Sequence, residues 1–433
     1  MIADTVAVNA VPVDTSAILP IAVVRIPQAI DTLEAMSGPL VTEEQIVEAL
    51  RPVEDPELHR SIVDLGMLRG ISIMENGVVG ILIALTVPGC PLKAEIEKRV
   101  SDAATQLDGV ESIDLEFTVM SDEDRENLRK TLHGDAGATA GQGQAHGHAE
   151  GRVVPFSKND SKTRPLLISS GKGGVGKSTV TTNLAVALAA QGYSVGIIDA
   201  DIYGYSIPRM LGTDRDPVVI DEMLIPPEMY GVRAISIGYF VPAGEAVIWR
   251  GPMLHKALEQ FLTDVFWDEP DFLLIDMPPG TGDIALSLSQ YLPRGEVFVV
   301  TTPQPAAQKV AAMSAAMAEK VNLPVRGVIE NMSWFTGDDG KKYEIFGSGG
   351  GQALADDVGV PLIGQLPLVP ALREGGDDGK PRSSSSSNRF SSPSKRQRSK
   401  SSSESRPREL ARNMSEHGCR LVSGERMKHE ICA

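Results

Sequence analysis

Nine residues constrain this chain more than any others: Gly171-Lys172-Gly173-Gly174-Val175-Gly176-Lys177-Ser178-Thr179. They follow the apolar run 166–169 and open a helical stretch that reaches about Ala190. Glycines in such a loop let backbone N–H groups turn inward around phosphate oxygens, with no Cβ in the way. The helix N-terminus adds the positive end of its dipole. Lys177 supplies a point charge for the β- and γ-phosphates, and Ser178 offers a hydroxyl to Mg²⁺. A loop of this kind needs a strand behind it and a helix ahead, so the chain must build an α/β layer around it.

The surrounding pattern agrees. Apolar runs at 166–169, 195–199, 272–276, 297–301, 325–330 and 361–366 are separated mostly by helical stretches. This alternation predicts a doubly wound, mostly parallel α/β sheet between about residues 164 and 381. Two of the runs end in acids. Asp199 and Asp201 lie two residues apart, a spacing that puts both on one face while a strand lasts. Asp276 follows four apolar residues, the pattern of an acid that holds Mg²⁺ beside a phosphate loop, and the turn Pro278-Pro279-Gly280 comes directly after it.

Composition divides the rest. Residues 1–40 carry no firm helix or strand pattern. The apolar stretch 17–24 lacks a basic segment before it and reads as an N-terminal extension, not a signal peptide. Residues 41–132 read as a small α+β domain: Thr42-Glu43-Glu44 starts a helix, 77–85 is a strand, Pro91-Leu92-Lys93 opens a second helix, and 110–119 alternates as another strand. Glycines interrupt residues 133–163, which read as a flexible linker, and His146 and His148 within it read as solvated rather than metal-binding. Thirteen serines fall between Ser383 and Ser405, interleaved with Arg and Lys, so residues 382–433 cannot bury a core.

The net charge of −16 is unevenly distributed. Residues 380–433 hold 13 basic and 5 acidic residues, which leaves 28 basic and 52 acidic in residues 1–379, a net −24. An acidic body argues against nucleic-acid binding except through the tail. Three cysteines in 433 residues exclude a disulfide scaffold and point to a reducing, cytoplasmic setting. No apolar run is long enough to cross a membrane as a helix.

The early lysine of the loop, Lys172, makes it resemble the deviant Walker A ATPases of the MinD/ParA/Mrp class. In that class this lysine reaches the nucleotide of a partner subunit, so the resemblance implies a nucleotide-bridged homodimer. It also implies that Asp201 orients or activates the attacking water, that Asp199 supports the metal shell, and that Asn331 contacts the adenine edge of ATP. Four motifs narrow the resemblance to the Mrp/ApbC branch of iron–sulfur cluster carrier ATPases: Trp249-Arg250-Gly251-Pro252-Met253, Asp276-Met277-Pro278-Pro279-Gly280-Thr281-Gly282-Asp283, Thr301-Thr302-Pro303-Gln304 and Glu330-Asn331-Met332-Ser333. Upstream, Val53-Glu54-Asp55-Pro56-Glu57-Leu58, Val63-Asp64-Leu65-Gly66 and Pro88-Gly89-Cys90-Pro91-Leu92 resemble the small SufT-like iron–sulfur assembly domain. Cys90 precedes a predicted helix, a position that favours a thiolate. It is a candidate ligand for iron or a cluster, and equally a candidate buried structural cysteine.

The chain departs from the family pattern twice. Carriers of this family usually hold a cluster between subunits with a Cys-x-x-Cys pair after Asn-Met-Ser, but residues 334–343 contain no cysteine and read as a polar hairpin. Soft clusters need thiolate or comparable ligands. After Pro381 the family pattern stops abruptly, as a frameshift would produce, and Cys419 and Cys432 in this tail fit no metal motif. The leading expectation is therefore an ATP-hydrolysing iron–sulfur cluster carrier acting on apoprotein clients. A nucleotide-switched scaffold without its own cluster and a MinD/ParA-like partitioning ATPase are the alternatives.

Overall fold

The computed structural model describes residues 41–74, 77–87, 90, 92–133, 154–158, 160–213, 215–241, 251–280 and 282–381. Residues 1–40, His146, His148, Trp249, Arg250 and the tail with Cys419 and Cys432 lie outside them.

The N-terminal body runs α1 (Glu43–Leu50), β1 (Leu68–Ile73), β2 (Val78–Leu85), α2 (Lys93–Ala104), β3 (Ser112–Val119) and α3 (Asp122–His133). Thr42 caps α1: its side chain accepts from the Gln45 backbone N–H, while the Gln45 side chain accepts from the Thr42 N–H. This reciprocal pair satisfies helix-end donors that have no intrahelical partner. Strands β1 and β2 are antiparallel, whereas β2 and β3 are parallel, with α2 as the crossover between them. Val79, Ile81 and Ile83 alternate onto the buried face and meet Ile96 and Val100 of α2 and Ile46 and Leu50 of α1 in one core.

The second body contains β4 (Arg164–Ser170), α4 (Lys177–Ala190), β5 (Val195–Asp199), α5 (Ile207–Leu211), the hairpin β6 (Val218–Ile220) and β7 (Met223–Ile225), then β8 (Glu228–Met229) and β9 (Val232–Ser236). It continues with α6 (Gly251–Thr263), β10 (Phe272–Asp276), α7 (Asp283–Tyr291), β11 (Glu296–Thr301), α8 (Pro305–Lys320), β12 (Val325–Glu330), the hairpin β13 (Phe335–Thr336) and β14 (Lys342–Tyr343), α9 (Gly350–Val358), β15 (Leu362–Gln365) and α10 (Pro370–Asp377). The main sheet has eight strands in the order β15-β12-β11-β4-β10-β5-β9-β8. Every pair is parallel except β8–β9. Strands β4, β5 and β10 are buried almost throughout, as expected for a sheet covered by helices on both faces. From β4 the chain winds one way to β5 and the other way to β11, so the strand order reverses beside β4. Ligands bind at such a switch point, outside the carboxyl ends of the strands.

Part of the expected linker is packed rather than flexible. Val154 and Phe156 are buried in the core that holds Leu258 and Phe261 of α6. The reason is local: two large apolar side chains close to β4 lie within reach of the α6 face. The two bodies also share a core. Val218, Ile220, Met223 and Ile225 of the β6–β7 hairpin, with Phe266, pack among the N-terminal core residues. Burying such a side chain contributes about 1.5–3 kcal/mol. The flanking ion pairs Arg60–Asp268 and His59–Glu228, both 2.9 Å, are half-exposed and contribute about 0–1 kcal/mol each. Apolar burial by the hairpin therefore dominates this contact.

Candidate functional site

The glycine-rich loop leaves β4 at Ser170 and enters α4 at Lys177. Two of its glycines are required, Gly171 by close approach of backbone and Gly176 by its left-handed conformation. A Cβ on Gly171 would lie 2.2 Å from the backbone of Val310 in α8. Gly176 has a φ of 83°, and its Cβ would lie 2.2 Å from Asn331 Nδ2. The loop thus turns with α8 on one side and the end of β12 on the other.

Asp276 ends β10, where it pairs in register with Ile168 of β4 and Asp199 of β5. Two carboxylates therefore stand on neighbouring strand ends, both fully buried. Lys177 Nζ donates to Asp276 Oδ2 at 2.6 Å, and Ser178 Oγ donates to the same oxygen at 2.5 Å. Thr181 Oγ1 lies 2.7 Å from Oδ1. Asp201 Oδ2 lies 3.7 Å from Lys177 Nζ. Burial pushes the Asp201 carboxyl above its ordinary range, and the Lys177 charge opposes that shift. The ammonium that would serve the phosphates is thus held between two acids.

Asp199 and Asp201 do not act as a same-face pair, because β5 ends at Asp199 and the alternation stops there. Asp199, expected to support the metal shell, is engaged elsewhere. Its Oδ2 accepts from the backbone N–H groups of Ser206 and Ile207 at the start of α5 and from Ser236 Oγ, and its Oδ1 accepts from the Asp201 N–H. Burial, and secondarily Asp276 beside it, raises its carboxyl pKa.

Lys172 is half-buried, with its Nζ 3.4 Å from Oε1 of Gln304, the last residue of the Thr-Thr-Pro-Gln motif. Asn331 donates from Nδ2 to the Val175 carbonyl at 2.9 Å, so the residue expected at the adenine edge touches the loop itself. Gly280, in the turn after Asp276, donates its N–H to the Ser170 carbonyl at 2.8 Å and ties that turn to the end of β4. Sequence reasoning assigned no role to Thr181, Ser236 or Gln304. The available signal at Thr181 was a hydroxyl one helical turn after Lys177 on the buried side of α4, a side it shares with Thr182.

The donors fit Mg²⁺. A serine hydroxyl and a carboxylate converge to 2.5 Å, and both are hard oxygen ligands of the kind Mg²⁺ takes together with phosphate and water. Among the described residues no group of three or more His, Cys, Asp or Glu is arranged to hold a metal by itself.

Cys90 has a different neighbourhood, in the N-terminal body. The expected thiolate is corrected by the structure: burial raises the Cys90 thiol, outweighing a hydrogen bond from the Leu92 backbone, and the acidic Glu57 and Asp55 push it the same way. The helix that follows starts only at Lys93. Glu57 itself is pushed up to about 7 by burial and by Asp55, against the opposing charge of Arg215 3.6 Å away. The expected polar hairpin after Asn-Met-Ser is present as β13–β14, where Asp339 accepts from the Lys341 N–H and the Tyr343 hydroxyl.

Comparison with known proteins fits this arrangement. A family model described as NUBPL iron-transfer P-loop NTPase matches residues 162–400, and so extends beyond Pro381, where the motifs of the sequence end. A second, described as iron-sulfur cluster assembly protein, matches residues 43–115. A protein from Mycobacterium leprae named iron-sulfur cluster carrier protein is 48% identical over 339 residues, 77% of this chain and 85% of its own. One of the same name from Bacillus subtilis is 36% identical over 331 residues, 76% and 89% of the two chains. The solved structure of a nucleotide-binding protein from Archaeoglobus fulgidus in complex with ADP is 36% identical, covering 51% of this chain and 88% of its own at a TM-score of 0.45. The match over more than half the chain and the identity with the two carrier proteins place the chain in the family of iron-transfer P-loop NTPases, with an iron–sulfur assembly domain at its N-terminal side.

Proposed function

We propose that this chain binds and hydrolyses ATP and uses that cycle to carry iron–sulfur clusters to apoprotein clients. The observation that carries the nucleotide half is the convergence of Lys177 and Ser178 on the buried Asp276 at the loop, with Asp201 on the other side of the Lys177 ammonium. The cargo half is supported by the relatives named as carriers and by the match of residues 43–115. We assign residues 164–381 to the nucleotide and residues 41–132 to cargo or client contact. The low cysteine count supports a cytoplasmic setting, and no helix among the described residues is long and apolar enough to cross a membrane.

In this reading the loop amides of residues 171–179 and the start of α4 receive the phosphates. Lys177 leaves Asp276 for the β- and γ-phosphate oxygens, a move that exchanges one buried anion for another. Ser178 and Asp276 hold Mg²⁺, which supplies charge neutralisation at the phosphates when bound. Asp201 orients a water for in-line attack on the γ-phosphorus. Asn331 sits between the loop and the adenine. Lys172 leaves Gln304 and reaches the nucleotide of a second copy, so hydrolysis is completed in a homodimer. Nucleotide state then alters the dimer, and the dimer alters affinity for cargo or client.

The missing thiolates favour a second reading, a nucleotide-switched scaffold that holds no cluster. Anaerobic reconstitution with iron and sulfide, on the wild type and on Cys90→Ser, separates the two. A cluster lost in Cys90→Ser supports a carrier that uses the N-terminal domain. Absence of bound iron and sulfide in both, with ATP hydrolysis intact, leaves the scaffold. A partitioning role would show as ATP-dependent co-sedimentation with DNA or liposomes, which the net −24 of residues 1–379 disfavours.

A further inference from the structure

The two oxygens of Asp276 have different partners. Oδ2 receives Lys177 and Ser178, the groups that the reading above assigns to phosphate and Mg²⁺. Oδ1 faces Thr181, whose hydroxyl lies 2.7 Å away. Thr181 is fully buried one helical turn beyond Ser178, behind the loop. Its Oγ1 also lies 3.0 Å from the Lys177 carbonyl, but one hydroxyl proton serves one strong bond, and the closer, charged acceptor takes it. A threonine in a helix has few χ1 states, so this donor is fixed in direction. When Lys177 and Ser178 swing away, Thr181 stays.

We propose that Thr181 is a positioning residue for the Mg²⁺ site: its hydroxyl holds Asp276 Oδ1 so that Oδ2 faces the metal. The proposal rests on the nucleotide reading above and adds a residue that binds neither phosphate nor metal. It predicts an effect confined to Mg²⁺, because the loop amides and Lys177 bind phosphate without Thr181. Removal of the hydroxyl leaves Oδ1 buried without its donor and free to rotate with the carboxylate.

The test is ADP binding by calorimetry on the full chain, in EDTA and across a Mg²⁺ titration, for wild type, Thr181→Ser, Thr181→Val and Thr181→Ala. Thr182→Val is the control for loss of a neighbouring buried hydroxyl on the same helix, where the partner is Met210 Sδ. In EDTA all variants should bind ADP within about twofold of wild type. In the Mg²⁺ titration Thr181→Val should need about tenfold more metal for half-effect, or roughly 1.4 kcal/mol. Thr181→Ser should return to within about twofold, and Thr182→Val should match wild type. If Thr181→Val does not fold, Thr181→Ala, which adds no volume, gives the same readout. Wild-type Mg²⁺ dependence in either hydroxyl-free variant overturns the assignment while leaving the nucleotide reading intact. So does an equal loss of ADP affinity in EDTA, which would mark Thr181 as packing only. A wild type that binds no ADP overturns the nucleotide reading, whereas one that binds ADP with an affinity indifferent to Mg²⁺ overturns the metal role of Asp276 and this proposal with it.

Discussion

Glu57 gives the sharpest test of the electrostatics at the seam between the two bodies. Its carboxyl is raised from 4.5 to about 7, burial being the largest cause, and its side chain is only 15% exposed. A raised acid holds its proton more tightly in the folded state than in the unfolded one. Below about pH 4.5 both states are protonated and there is no cost. As pH rises from 4.5 to 7 the unfolded state ionises first, so stability falls across that window and the full penalty is present above it. At 1.36 kcal/mol per unit the loss is roughly 3 kcal/mol. Glu57→Gln removes the titration while keeping shape and polarity. The gap between variant and wild type should be near zero at pH 4.5 and grow to about 3 kcal/mol in favour of the variant at pH 8. Urea unfolding at several pH values measures it, and Trp267, buried next to Phe266, reports the seam by fluorescence. A gap independent of pH would refute the reasoning. So would a wild type more stable than the variant at pH 8, because the Arg215 pair would then outweigh burial.

Four further outcomes follow from named contacts. Lys177→Ala should lower ATP hydrolysis by about 10²–10³-fold in a steady-state assay, the range seen when one preorganised charge-stabilising donor is removed. Lys172→Ala should keep ADP affinity within about twofold yet lose about 10²-fold in hydrolysis, since its proposed target lies in the second subunit. Gly171→Ala should cost about 1–3 kcal/mol and weaken ADP binding, because the added methyl meets the α8 backbone at 2.2 Å; a thermal melt and calorimetry check both. Ile220→Ala, in the hairpin core, should cost about 2–5 kcal/mol and lower hydrogen-exchange protection in α1, whereas Val219→Ala, 53% exposed, should stay within about 0.5 kcal/mol.

Much of the nucleotide-binding half is readable from the chain alone. The runs 195–199, 272–276 and 325–330 are strands with those bounds, and α4 ends at Ala190 as expected. They are short, mostly apolar and bounded by turn residues, so composition and length agree. The loop itself is contiguous, which is why Lys177 and Ser178 could be named without coordinates. Asp199 and Asp201 show where that reasoning stops. Spacing put them on one face, but the strand ends between them, and the first caps α5 while the second turns to Lys177. Burial also reversed the sign of the Cys90 argument, since a helix start favours a thiolate only where solvent or charge supports it.

The sequence by itself determined the phosphate loop, six of the eight strands of the main sheet (β8 and β9 being missed) and the absence of a cysteine after Asn-Met-Ser, because each is a local pattern of residue types. Only the tertiary structure decided that Asp276 and Asp199 stand on neighbouring strands, that Thr181 backs one oxygen of Asp276, and that a hairpin of one body completes the core of the other. These are contacts between residues tens to more than a hundred positions apart. Their existence depends on sheet order and on which apolar faces meet, and neither leaves a mark in the local spacing of the chain.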